Sequence, residues 1–83
     1  MWLTRIGVPG VVDPFDVVYY RDEAGTFIAE APELPGCVTQ AGTVAEVLER
    51  VVDAIAACRE VRLEMGLPER EDLAARPAQL AVA

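Results

Sequence analysis

The sequence has no histidine and no lysine: its seven basic residues are all arginine, and fourteen acids set the formal charge at −7. Each absence excludes something. Without histidine, the general base that titrates nearest neutral pH is missing, and with it most Ser-His and Cys-His nucleophile pairs. Without a basic surplus the chain would repel a phosphate backbone, so direct nucleic-acid binding by this chain alone is not expected. Cysteine is scarce. Cys37 and Cys58 sit in different elements, lack the spacing of a zinc or redox motif, and read as free, buried small hydrophobes of a reducing compartment. No stretch approaches the ~20 apolar residues needed to span a bilayer, and Met1 leads into no basic segment followed by an apolar run and a cleavage site. A cytoplasmic protein without membrane attachment is expected.

Phosphate-binding punctuation is missing too. There is no G-x-x-x-x-G-K loop, and Gly36 and Gly42 flank a strand instead of opening a helix after one. The acids fall on a helix surface, in turns and in the C-terminal stretch, with no spacing that converges them on a metal or a carboxylate pair. The residues nominate no catalytic, cofactor-binding or metal-binding site and no cofactor. A chain that is not an enzyme is expected.

What is present is apolar and patterned. Of 83 residues, 53% are hydrophobic and 25% charged, too apolar for a disordered tail and enough for one domain. A chain this short buries only ~60% of the surface its unfolded form exposes. The neighbouring Tyr19 and Tyr20 also leave a sheet face or edge in need of cover, so a homo-oligomer, a dimer or tetramer, is expected.

"FDVVYYRD", Phe15–Asp22, is rich in β-branched and aromatic residues, and "TFIAEA", Thr26–Ala31, alternates with Phe27, Ala29 and Ala31 on one face. The "DEAG" between them, ending at Gly25, makes the pair a β-hairpin. "CVTQA", Cys37–Ala41, is a further strand. The "PELPG" before it is a turn, because Pro32 and Pro35 lack the N–H a ladder needs. Residues 1–14, broken by Pro9-Gly10 and closed by Pro14, are an irregular lead-in or a short edge strand.

Thr43 and Glu46 form a T-x-x-E capping box: the hydroxyl accepts from the N–H three residues on, and the glutamate reaches back. The helix it opens runs from Val44 to about Met65, where Gly66 and Pro68 stop it. Val44, Leu48, Val51, Ile55 and Cys58, flanked by Val47, Val52 and Val61, form its apolar stripe. Glu46, Glu49, Arg50, Asp53, Arg59, Glu60 and Glu64 form a solvated face, with a Glu46–Arg50 pair worth a few tenths of a kcal/mol. Beyond Pro68 the chain is charged and then apolar; Gln79–Ala83 could be a final short strand or a tail. The whole reads as α+β: a three- or four-stranded antiparallel sheet with one long helix on one face.

The run Pro32-x-Leu34-Pro35-Gly36-Cys37-x-Thr39-x-x-Gly42-Thr43-x-x-Glu46, entering an amphipathic helix, resembles the N-terminal domain of HicB antitoxins from about residue 15 to residue 66. It departs from that pattern at Ala41 and in the lead-in of residues 1–14. The resemblance implies a sheet-and-helix domain likened to a partial ribonuclease H fold without its carboxylate centre. It also implies a partner: HicA, a small basic toxin that cleaves mRNA and uses a histidine. Many such proteins add a helix-turn-helix or ribbon-helix-helix that binds an operator. The 17 residues after Gly66 are too few for a helix-turn-helix. The alternative is a solitary HicB-like domain that binds another protein or a small ligand. Leu34, Cys37 and Thr39 are assigned to packing in either case.

Overall fold

A computed structural model describes residues 1–72. The chain runs β1 (Trp2–Ile6), β2 (Phe15–Arg21), β3 (Phe27–Glu30), β4 (Val38–Ala41) and α1 (Val44–Glu64). The strands form one sheet in the order β1-β2-β3-β4, each antiparallel to the next, an α+β architecture with four strands. The lead-in resolves into an edge strand: Trp2 to Ile6 pair residue by residue with Tyr19 to Phe15. Residues 7–14 stay irregular, since the prolines in this stretch cannot donate to a ladder. The segment Gln79–Ala83 lies outside the described residues.

The β2–β3 hairpin closes through Asp22. Its carboxylate accepts from the Thr26 N–H at 2.9 Å, its carbonyl from the Gly25 N–H at 3.1 Å. Gly25 sits at φ +86, a conformation that side-chain-bearing residues rarely adopt, so glycine is needed there. The "PELPG" turn carries Leu34 and Cys37 into the core, 1% and 2% exposed. Its ends are tied by the Ala31 N–H donating to the Cys37 carbonyl at 3.1 Å.

At the helix start Thr43 accepts from the Glu46 N–H at 3.2 Å. The return half of the capping box differs from expectation: the Thr43 hydroxyl donates to the Glu46 carboxylate at 3.3 Å, so the glutamate reaches the side chain instead of the backbone N–H. The helix ends at Glu64 with Met65 as its C-cap.

Core and surface differ from the expected stripe in position. Val47, Val51 and Ile55 are fully buried, Leu48, Val52 and Cys58 are partly buried against them, and Val61 is 52% exposed. The helix packs on β3 and β4, and Val61, near its end, stays half exposed. Arg59 is half-buried and leaves the solvated face to pair with Glu69.

Candidate binding surfaces

A four-stranded sheet is roughly 19 Å wide and one helix roughly 10 Å, so α1 can cover about half of one face. It covers β3 and β4. The buried end of β2, Phe15 and Val17, is closed by loops: Val8, Val11 and Leu34 join the same cluster. Arg70 holds this roof together. Its guanidinium lies 3.7 Å from the Phe15 ring centroid and donates to the carbonyls of Asp13 at 2.8 Å and Pro14 at 2.9 Å. It also pairs with the Glu33 carboxylate at 3.1 Å. The Glu71 N–H donates to the Glu33 carbonyl at 2.7 Å, and Arg62 binds Glu71 and the Pro68 carbonyl. Residues 67–72 thus strap the end of α1 to two loops. Sequence reasoning missed this strap because the contacts of Arg70 with the two loops lie 37 to 57 residues apart.

That arrangement decides the surface charge. Every described arginine is engaged: Arg5 with Asp16, Arg50 with Glu46, Arg59 with Glu69, Arg62 with Glu71, Arg70 with Glu33, and Arg21 over the Phe27 ring. Glu49, Asp53, Glu60 and Glu64, exposed along the outer face of α1, have no cation beside them among the described residues. The uncompensated charge on this face is all negative.

The second surface is the sheet face turned away from α1. Alternation along the paired strands puts Leu3, Val18, Tyr20, Ile28 and Val38 there, with Leu3 69% and Val38 53% exposed. The Arg5–Asp16 pair, at 3.0 Å, and Glu30 and Gln40 complete it. No helix of the described residues packs on this side. The signal was in the sequence: β2 has apolar residues at both parities, the mark of a strand with two contact faces. Tyr19 and Tyr20 accordingly part company. Tyr19 stacks under Trp2 on the helix side, ring centroids 5.5 Å apart, and Tyr20 faces the open side.

Near the end of α1, Leu34, Pro35, Ala57, Cys58, Val61 and Arg62 line a pocket of about 270 Å³. The two cysteines are free, but they are near enough to influence each other, which their separate elements did not suggest. Burial, then a hydrogen bond with Cys58, then the charge of Cys58 push the Cys37 thiol up to about 12. Among the described residues no group of three or more His, Cys, Asp or Glu side chains is placed to hold a metal ion, and no helix is long and apolar enough to cross a membrane.

Residues 16–72 match a family described as "Domain of unknown function (DUF1902)". The chain is 44% identical over 48 residues to a UPF0150 protein of Archaeoglobus fulgidus, an alignment covering 58% of this chain and 70% of that one. It is 37% identical over 51 residues to a UPF0150 protein of Synechocystis, covering 60% and 74%. A UPF0150 protein of Thermoplasma acidophilum is 40% identical over 43 residues, covering 52% and 62%. No solved structure matches the chain.

Proposed function

The chain belongs to the DUF1902 family, and from that premise we propose that it is a HicB-like, antitoxin-type inhibitor. It binds and neutralises a small basic mRNA-cleaving toxin of the HicA kind, as a cytoplasmic homo-oligomer with no catalysis of its own. The observation that carries this reading is the one-signed free charge of α1: Glu49, Asp53, Glu60 and Glu64 stand bare while the arginines are held in internal contacts. Such a row steers a basic partner to the surface and blocks RNA from the same place by repulsion. Steering alone does not hold a complex. The apolar centre a stable interface needs lies beside this row on the same helix, where Ala57 and Val61 are exposed.

The test is co-expression of the chain with its genomic neighbour, purification through a tag on one partner, and an RNA-cleavage assay with and without the other. The neighbour is expected to be short and basic, to co-purify, and to cleave RNA only when released. Association should slow as salt is raised. A neighbour that neither co-purifies nor cleaves RNA defeats this reading. A solitary domain that binds another protein or a small ligand then becomes the better account, and the pocket beside Cys58 is the observation that favours the ligand.

A further inference from the structure

We propose that two copies of this chain join through the free edge of β1, strand against antiparallel strand, to make one continuous eight-stranded sheet. The proposal is independent of any toxin. It starts from the difference between the two edges of the sheet. At the β4 edge Arg50 reaches back from α1 and donates to the Gln40 carbonyl at 2.9 Å, so a charged side chain occupies an outer backbone group, one of the ways proteins blunt an edge. At the β1 edge no such guard is present among the described residues. Met1, Trp2 and Leu3, in succession, are 85%, 53% and 69% exposed.

The occupant follows from charge and symmetry. A chain of net charge −7 meets its own copy against long-range repulsion, so self-contact falls where acids are absent. Residues 1–12 contain none, and the single charge of β1, Arg5, is already neutralised by Asp16. Two identical antiparallel strands related by a two-fold axis form a closed, isologous pair. Centred on Thr4, the pairing sets Thr4 opposite Thr4 of the second copy, Leu3 opposite its Arg5 and Trp2 opposite its Ile6. Trp2, Thr4 and Ile6 lie on the helix side of the sheet and Leu3 and Arg5 on the open side. Each indole, already stacked on its own Tyr19, would gain cover from the other copy's Ile6, and each Leu3 would lie along an arginine stem.

The register makes a charge-specific test possible. Light scattering at ~100 µM chain, high enough for a small interface to form, should give the mass of two chains, and the pair should tighten as salt screens the net repulsion. Leu3→Lys sets two ammonium groups opposite two Arg5 and should leave monomers; Leu3→Glu sets carboxylates there and should keep the dimer. The two dissociation constants should differ on the order of tenfold or more. Thr4→Cys should cross-link into a covalent dimer with a mild oxidant such as diamide, which the unsubstituted chain should not do. Circular dichroism checks each fold, and if Leu3→Lys fails to fold, the Thr4→Cys cross-link decides. A monomer of the unsubstituted chain overturns the proposal. So does a dimer weakened equally by lysine and glutamate, or one that Thr4→Cys cannot cross-link. A toxin complex weakens with salt while this dimer strengthens, so failure of one reading is not mistaken for failure of the other.

Discussion

The two halves of the core are closed by different means. Under α1, Ala29 and Ala41 of the sheet meet Val47, Val51 and Ile55 of the helix, apolar against apolar and settled by short-range sequence pattern. Beside it, Phe15 and Val17 have no helix above them. Their roof is Val8, Val11 and Leu34 from two loops, held by a single guanidinium that binds two carbonyls, a carboxylate and an aromatic face. The comparison teaches that a short chain with one helix and four strands runs out of helix before it runs out of sheet. It makes up the shortage with a polar strap whose cation–π contact, Arg70 on Phe15, stands in for a second helix.

The sharpest way to break the comparison is to truncate both halves. Ile55→Ala should cost about 3 kcal/mol in chemical denaturation, because a fully buried side chain leaves a cavity the surroundings fill only in part. Arg70→Ala should cost about 2 kcal/mol, from lost charge-assisted hydrogen bonds and the lost ring contact at a side chain only 21% exposed. Arg70→Lys should recover less than half of that, since a point charge cannot serve two carbonyls and a carboxylate while lying flat on Phe15. If Arg70→Ala leaves the denaturation midpoint unchanged, the loops roof Phe15 without it and the contrast between the halves is lost.

Cys37 lies where the halves meet, and pH probes it. Its folded pKa is raised, mainly by burial, so between the ordinary thiol value and about 12 the folded state holds a proton that the unfolded state has released. Stability should be unaffected at neutral pH and fall as pH rises above the ordinary thiol value, by at most about 1.4 kcal/mol per pH unit. Denaturation midpoints at pH 7.5 and pH 10 measure it. Cys37→Ala, compared with itself at the two pH values, should lack this part of the loss; an equal loss in both proteins would show that Cys37 is not its source. The smallest effect belongs to the exposed helix start. Thr43→Ala should cost ~1 kcal/mol and Thr43→Ser almost nothing, because only the hydroxyl is needed to accept the Glu46 N–H. Equal midpoints for threonine and alanine would sink that cap.

Much of the fold was legible before any coordinates, and the reasons are local. The β-branched and aromatic run of Phe15–Arg21, the alternation in Phe27–Glu30, the Asp22–Gly25 turn, the prolines of "PELPG" and the Thr43 cap each act within a few residues, so the strands, the hairpin and the helix start could be placed. The candidate surfaces were harder to read. The sequence named no binding residue, although both parities of β2 being apolar pointed to a strand with two contact faces. Helical periodicity alone puts Arg59 on the solvated face, because its partner Glu69 is ten residues away.

What the sequence determined alone was therefore the periodic part: three of the four strands, the helix and its cap, the α+β class and the sign of the charge. Those follow from backbone sterics, side-chain alternation and composition, which neighbouring residues set among themselves. The tertiary structure alone decided that residues 2–6 form a fourth strand, because an edge strand earns its regularity from the partner it pairs with. It also decided that Val47 belongs to the fully buried stripe and Val61 does not, since the placing of α1 over β3 and β4 selects which part of a broad apolar face is covered. And it decided which charges remain free. The strap from Arg70 to Glu33 and the approach of Cys37 to Cys58 join residues 37 and 21 positions apart, and pairings at that separation depend on the packed geometry, which no local pattern encodes.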